Sequence, residues 1–227
     1  VAQLPEIAGV TPRTIDRIGV IGGGTMGAGI AVSALLSGLD VTLVERDDAA
    51  AEKAAAGVAK MLEGSVKRGK LKADKRDAIL SGRFRAAGDY AALSQADLII
   101  EAVFEKMEVK EEVFTRLDAI AKPGAILATN TSYLDVNRIA AVTGRPQDVI
   151  GLHFFSPAHV MRLLEVVVAD RTAPDVTATG FALARKLKKI AVRAGVCDGF
   201  IGNRILSHYR TAADAMVLDG ASPYQID

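Results

Sequence analysis

The chain holds one cysteine, Cys197, and no tryptophan. A lone cysteine excludes an internal disulfide framework and fits a reducing compartment. Its plainest role is that of a small buried hydrophobe. Aromatic residues are also few, and the one basic run (Lys67, Arg68, Lys70, Lys72, Lys75, Arg76) contains none. That run therefore lacks the platforms on which single-stranded nucleic acid stacks. An excess of one charge sign is missing too. Twenty-eight Lys and Arg face 27 Asp and Glu, for a net charge of +1, which offers nucleic acid no bulk attraction. No apolar run approaches the roughly 18 residues of a membrane span. The first residues lack the charged, apolar and small-residue succession of a signal peptide, and the end, Tyr224-Gln225-Ile226-Asp227, carries no address signal. Histidine is scarce, with His153, His159 and His208 alone. No cluster of His, Cys and Asp has metal-ligand spacing, so no metal site is expected.

What is present suits a soluble globular class, with half of the 227 residues hydrophobic and a quarter charged. The length allows one large domain, or one domain and part of another. Residues 1–16 carry Pro5 and Pro12 without a sustained period and read as a linker or tail. From Arg17 onward, short apolar runs alternate with helical periods. Strands are predicted at 17–21, 41–44, 97–101, 125–129, 149–154, 163–168 and 190–196, and helices at 25–37, 48–68, 106–121, 134–140, 174–188 and 200–218. Alternation of this kind implies crossovers and a Rossmann-like, doubly wound, mainly parallel α/β sheet. The domain reading is a Rossmann-like domain over 17–198 and the beginning of a truncated helical domain over 199–227, whose last helix has no partner.

Gly22-x-Gly24-x-x-Gly27 follows the first strand and opens the first helix, the context a dinucleotide fingerprint requires. The first glycine permits the turn, the second lets pyrophosphate approach, and the third lets helix and strand pack closely. Thr25 and Met26 begin the helix whose amino end faces the phosphates. Glu45 ends the second strand 18 positions after Gly27, where a carboxylate accepts from ribose hydroxyls and repels a 2′-phosphate. The cofactor reading is NAD rather than NADP. Arg46 is the counter-signal, because arginine can accommodate that phosphate.

Oxidation of an alcohol at carbon needs a base, and histidine titrates near neutrality. His153 ends a predicted strand at the carboxyl edge of the sheet, where open α/β folds bind ligands. Glu165, twelve positions on, could fix its tautomer and stabilise the imidazolium. Spacing alone fits a core or surface histidine as well. His159 and His208 read as surface or interface residues. Asn130-Thr131-Ser132 either caps the next helix or bonds a ligand. Glu101 and Glu105 bracket a strand end, and Asn203 carries no signal of its own. The basic run is a solvated helix end or an attraction site for an anion.

Together Ile18–Gly27, Glu101-Ala102-Val103-Phe104-Glu105, Asn130-Thr131-Ser132, Gly151–Pro157, Leu164-Glu165-Val166 and Gly199–Arg204 resemble the 3-hydroxyacyl-CoA dehydrogenase family, in family order. The resemblance implies a His153–Glu165 catalytic dyad, with Ser132 and Asn203 near the thioester and 3-oxygen of an acyl-CoA substrate. It implies an NAD site built from Gly22, Gly24, Thr25, Met26, Gly27, Glu45, Arg46, Glu105, Lys110, Asn130 and Ser132. Ser65 with Lys70 or Lys72 would contact CoA. Ser156 stands where the family often has Asn. The Phe-Phe-Ser-Pro-Ala-His-Val-Met stretch looks like the dehydrogenase part of multifunctional β-oxidation enzymes, fused behind an enoyl-CoA hydratase part. Residues 1–16 would then be the linker, and the helical domain that closes the cleft would be missing beyond Asp227. The expected location is the cytoplasm of a bacterium, or the peroxisome of a eukaryote. Two other readings stay open: an NAD-binding module without turnover in isolation, and a dehydrogenase of free β-hydroxyacids.

Overall fold

The computed structural model describes residues 4–226. Eight strands form one sheet: β1 (Arg17–Ile21), β2 (Asp40–Val44), β3 (Phe84–Ala87), β4 (Leu98–Glu101), β5 (Ile126–Thr129), β6 (Val149–Phe154), β7 (Leu163–Val168) and β8 (Ile190–Gly195). Their order across the sheet is β3-β2-β1-β4-β5-β6-β7-β8. Neighbours from β3 to β6 are parallel, β6 and β7 are antiparallel, and β7 and β8 are parallel. The first six reproduce the doubly wound order, whose direction of winding reverses between β1 and β4. A ligand crevice belongs at the carboxyl ends of those two strands.

Helices cover both faces. Along each strand successive side chains point to opposite faces. Ile18, Val20, Ile100, Ile150 and Leu152 pack with Ile30 and Leu35 of α1 (Thr25–Leu36), Val58 and Leu62 of α2 (Asp48–Lys67) and Leu183 of α6 (Pro174–Lys186). On the other face Ile99, Leu127 and Val149 meet Phe114 and Leu117 of α4 (Met107–Ile120) and Ile139 of α5 (Val136–Ala141). Each such side chain, fully buried, stabilises the fold by about 1.5–3 kcal/mol. Asp47 caps α2 by accepting from Ala50 N–H at 2.7 Å, and Asp135 caps α5 by accepting from Asn137 N–H at 2.8 Å.

The periodicity reading misses α3 (Ala73–Gly82) and β3. Ile79 is the only buried residue of α3, so its sequence carries no apolar stripe. β3 is a four-residue edge strand with no fully buried position.

The segment predicted as a linker or tail is a strap over its described part; residues 1–3 lie outside the described residues. Arg13 donates from Nε to Asp175 at 2.8 Å, meets Asp148 at 2.7 Å and donates to Gly124 O at 3.1 Å. Its backbone N–H donates to Thr179 Oγ1 at 2.8 Å, and Ile15 is buried. One arginine anchored by ion pairs leaves no periodic signal. At the other end α7 (Gly202–Leu218) and α8 (Pro223–Ile226) follow β8. No residue of α7 is buried, and Ile205, Leu206, Tyr209, Met216 and Val217 are exposed.

Candidate active site

The antiparallel register of β6 and β7 sets His153 opposite Glu165. Nδ1 of His153 lies 2.7 Å from Oε2 of Glu165, and both side chains are almost wholly buried. An ionised carboxylate only accepts, so Nδ1 carries a proton toward Glu165, and Nε2 is the ring nitrogen through which a proton can be exchanged. The other carboxylate oxygen, Oε1, accepts from Gly202 N–H at 2.8 Å and Ile201 N–H at 3.2 Å at the start of α7. Burial alone would raise the Glu165 pKa. Hydrogen bonds from His153, Gly202 and Ile201 outweigh it and hold the carboxyl below its ordinary value. The imidazole is flanked by Phe155, 4.5 Å away between ring centres, and by Phe200 at 5.7 Å.

A second polar group lies at the ends of β4 and β5. Glu101 is fully buried and accepts from Lys110 Nζ and Thr129 Oγ1, each at 2.7 Å, and from Val103 N–H at 2.8 Å. Lys110 also reaches Glu105 at 3.2 Å. Glu105 in turn accepts from Thr131 Oγ1, from Ser132 N–H at 2.7 Å and from Tyr133 N–H at 3.2 Å. Desolvation pushes its pKa up, but the Thr131, Lys110 and Ser132 contacts win and lower it. Asn130 Oδ1 accepts from Phe154 N–H at 2.9 Å, tying the end of β5 to the strand that carries His153.

At the reversal point Gly22 adopts φ +90°, and a Cβ on Gly27 would stand 1.7 Å from Gly22 O. Only glycine allows that approach of helix to strand. A Cβ on Gly24 would meet nothing within 4 Å, so open space lies where a pyrophosphate approaches. Glu45 accepts from Gly23 N–H at 2.7 Å, which fixes the carboxylate beside the turn. Arg46 is exposed and turned to Asp47 at 3.1 Å. These features fit a dinucleotide with free ribose hydroxyls.

The predicted residues divide as follows. His153 and Glu165 meet; Glu105 and Ser132 meet; Glu45 meets the glycine turn. Lys110 lies beneath the site, sealed from solvent, and touches the surface through Glu105. Ser65 is buried and donates its hydroxyl to Met61 O at 3.2 Å, whereas Lys70 and Lys72 are exposed. Asn203 lines a cleft of about 500 Å³ with Tyr133, Cys197, Gly199 and Arg204, and follows Gly202 in the chain. Cys197 is half-buried rather than a core residue, with Sγ 3.4 Å from Phe200 O. His208 is exposed on α7 and His159 is half-buried in the loop after β6. Sequence reasoning missed the roles of Glu101, Phe155 and Gly202. Of these only Glu101 carries a signal, as a charge ending the apolar run Leu98-Ile99-Ile100.

Residues 17–197 match the NAD-binding domain of 3-hydroxyacyl-CoA dehydrogenase. The chain belongs to that family. Its cofactor is NAD, and the family is one of NAD-dependent oxidoreductases. The chain is 44% identical over 215 residues to a peroxisomal bifunctional enzyme of Cavia porcellus, covering 95% of this chain and 29% of that protein. It thus spans under a third of the curated relatives it matches. Among solved structures, the (S)-3-hydroxybutyryl-CoA dehydrogenase of Ralstonia eutropha superposes with TM-score 0.91 at 35% identity, over 94% of this chain and 76% of that one. The dehydrogenase part of multifunctional enzyme 1 from C. elegans gives TM-score 0.75 at 34% identity, over 95% and 50%. Among the described residues no helix is long and apolar enough to cross a membrane, and no group of His, Cys, Asp and Glu is arranged to hold a metal.

Proposed function

We propose that this 3-hydroxyacyl-CoA dehydrogenase domain serves the reversible oxidation of a (3S)-3-hydroxyacyl-CoA to the 3-ketoacyl-CoA in β-oxidation. The observation that carries the reading is the buried His153–Glu165 pair, joined through Nδ1. His153 Nε2 takes the proton of the 3-hydroxyl as the C3–H bond breaks and the C3 carbonyl forms. The glycine turn and Glu45 would hold NAD, whose nicotinamide would supply the acceptor for the C3 hydride. Glu165 orients the ring and stabilises the imidazolium, which then loses its proton to solvent.

Gly22, Gly24, Thr25, Met26 and Gly27 are assigned to the pyrophosphate, and Glu45 to the adenosine ribose. Glu105, Lys110 and Asn130 hold the loop that presents Ser132. Ser132 and Asn203 are assigned to the thioester and 3-oxygen. Lys70 and Lys72 are exposed cations suited to CoA phosphates; the inward hydroxyl of Ser65 speaks against a direct contact there. The relatives' names, peroxisomal and bifunctional or multifunctional, support a peroxisomal location for a eukaryotic parent and a further enzymatic part in the same protein; a bacterial parent would be cytoplasmic, and an enoyl-CoA hydratase is the part the family resemblance implies.

A second reading rests on the exposed apolar face of α7. By it, this chain alone holds NAD and turns over slowly until a helical domain covers that face. Adding the family's helical segment should then raise turnover and leave NAD affinity unchanged; turnover that stays the same contradicts it. Acetoacetyl-CoA reduction by the native chain and His153→Gln, compared side by side, tests the first reading. Activity on a free β-hydroxyacid but not on its CoA thioester would select a different substrate class.

A further inference from the structure

We infer that Gly202 and Phe155 are positioning residues for the His153 base, an inference that rests on the reading of His153 given above. Gly202 is the first residue of α7, and its N–H is the shorter of the two bonds to Glu165 Oε1. The same residue has a steric role. A Cβ built on Gly202 stands 3.0 Å from Cζ of Phe155, 3.2 Å from its Cε1 and 3.5 Å from Glu165 Oε1. The Phe155 ring therefore occupies the space that any side chain at this position would need. That ring also lies 4.5 Å from the His153 imidazole, tilted by 47°. Phe200, three residues before Asn203, flanks the imidazole at 5.7 Å.

The histidine is thus fixed at two points. Glu165 holds its Nδ1, and the Phe155 ring fixes its face. Both supports meet at Gly202, one through a hydrogen bond and the other through the narrow clearance left for a Cβ there. Asn203, assigned to substrate, is the next residue. The amino end of α7 and the catalytic ring consequently share one register. A methyl group at Gly202 requires Phe155 to shift by a few tenths of an ångström, and the imidazole is the aromatic neighbour of that ring. Displacement by 1 Å can cost about 10²-fold in rate, so a shift of this size should cost about 5-fold.

The test is a cycle of Gly202→Ala, Phe155→Leu and the double variant, read by proton NMR of the histidine rings. With three histidines in the chain, the His153 signals are assigned by their loss in His153→Gln. Gly202→Ala should move the His153 signals and leave those of His208, also on α7, in place. Leucine lacks the Cζ atom that the methyl meets, so the double variant should match Phe155→Leu alone, and turnover lost in Gly202→Ala should not be lost again. Unmoved His153 signals in Gly202→Ala overturn the inference. So do fully additive shifts, or movement of His208 to the same degree, which would mark general disturbance of α7. Native-like turnover in His153→Gln would instead remove the base assignment, and the ring signals would still decide whether Gly202 and Phe155 place the ring.

Discussion

Glu101 and Lys110 form an ion pair at 2.7 Å with side chains that are 0% and 1% exposed. Breaking such a pair by removing one partner leaves an uncompensated buried charge and typically costs about 3–5 kcal/mol. Lys110→Met should therefore destabilise the chain by about that amount, measured by urea unfolding. The double variant Glu101→Gln/Lys110→Met should lose less than the sum of the two single changes, because the two residues share one contact. Additive losses would show that the pair acts as two independent groups.

Glu165 links pH to stability. Its pKa is held below the ordinary 4.5 in the folded chain, so its contribution is present above that value. It is lost as pH falls through the lower folded value. Glu105, shifted in the same direction, adds to the same window. Glu165→Gln should flatten the decline in stability between pH 4.5 and lower values, without abolishing it. A decline identical to the native chain would contradict the assignment.

The same substitution has a kinetic consequence. Removing the carboxylate leaves the imidazole unheld at Nδ1, so kcat should fall, by no more than in His153→Gln. An unchanged kcat counts against the dyad.

Gly27→Ala tests the nucleotide turn. Its Cβ would lie 1.7 Å from Gly22 O, so helix and strand must separate. NADH affinity should fall at least about tenfold, equivalent to 1.4 kcal/mol. The chain has no tryptophan, which leaves NADH fluorescence enhancement a clean titration. Arg13→Ala, which breaks the strap far along the sheet, should cost about 1–3 kcal/mol of stability and leave that affinity unchanged. A strap variant with weakened NADH binding would contradict the separation of the two.

Legibility in the sequence followed the physics of each element. Buried strands such as Leu98-Ile99-Ile100 and the glycine turn announce themselves because apolar continuity and missing side chains are local properties. Arg13 is invisible because Asp148, Asp175 and Gly124 come near it only after folding. The antiparallel turn of β7 onto β6 is likewise a non-local property, and it is what brings Glu165 to His153. The resemblance supplied that pairing, whereas spacing alone left it open. Lys110 looks like a solvated helix residue in sequence, and the buried Glu101 beside it makes it an interior one. Gly202 and Phe155 are silent in sequence for the same reason: their importance lies in the 3.0 Å that would separate a Cβ on Gly202 from the Phe155 ring.

The most direct test of the account is NADH oxidation with acetoacetyl-CoA by the native protein and by His153→Gln in parallel. Loss of a general base lowers the rate by about 10²–10⁴-fold, and the account predicts a fall in that range with NADH affinity retained. Turnover by His153→Gln close to the native rate would contradict it.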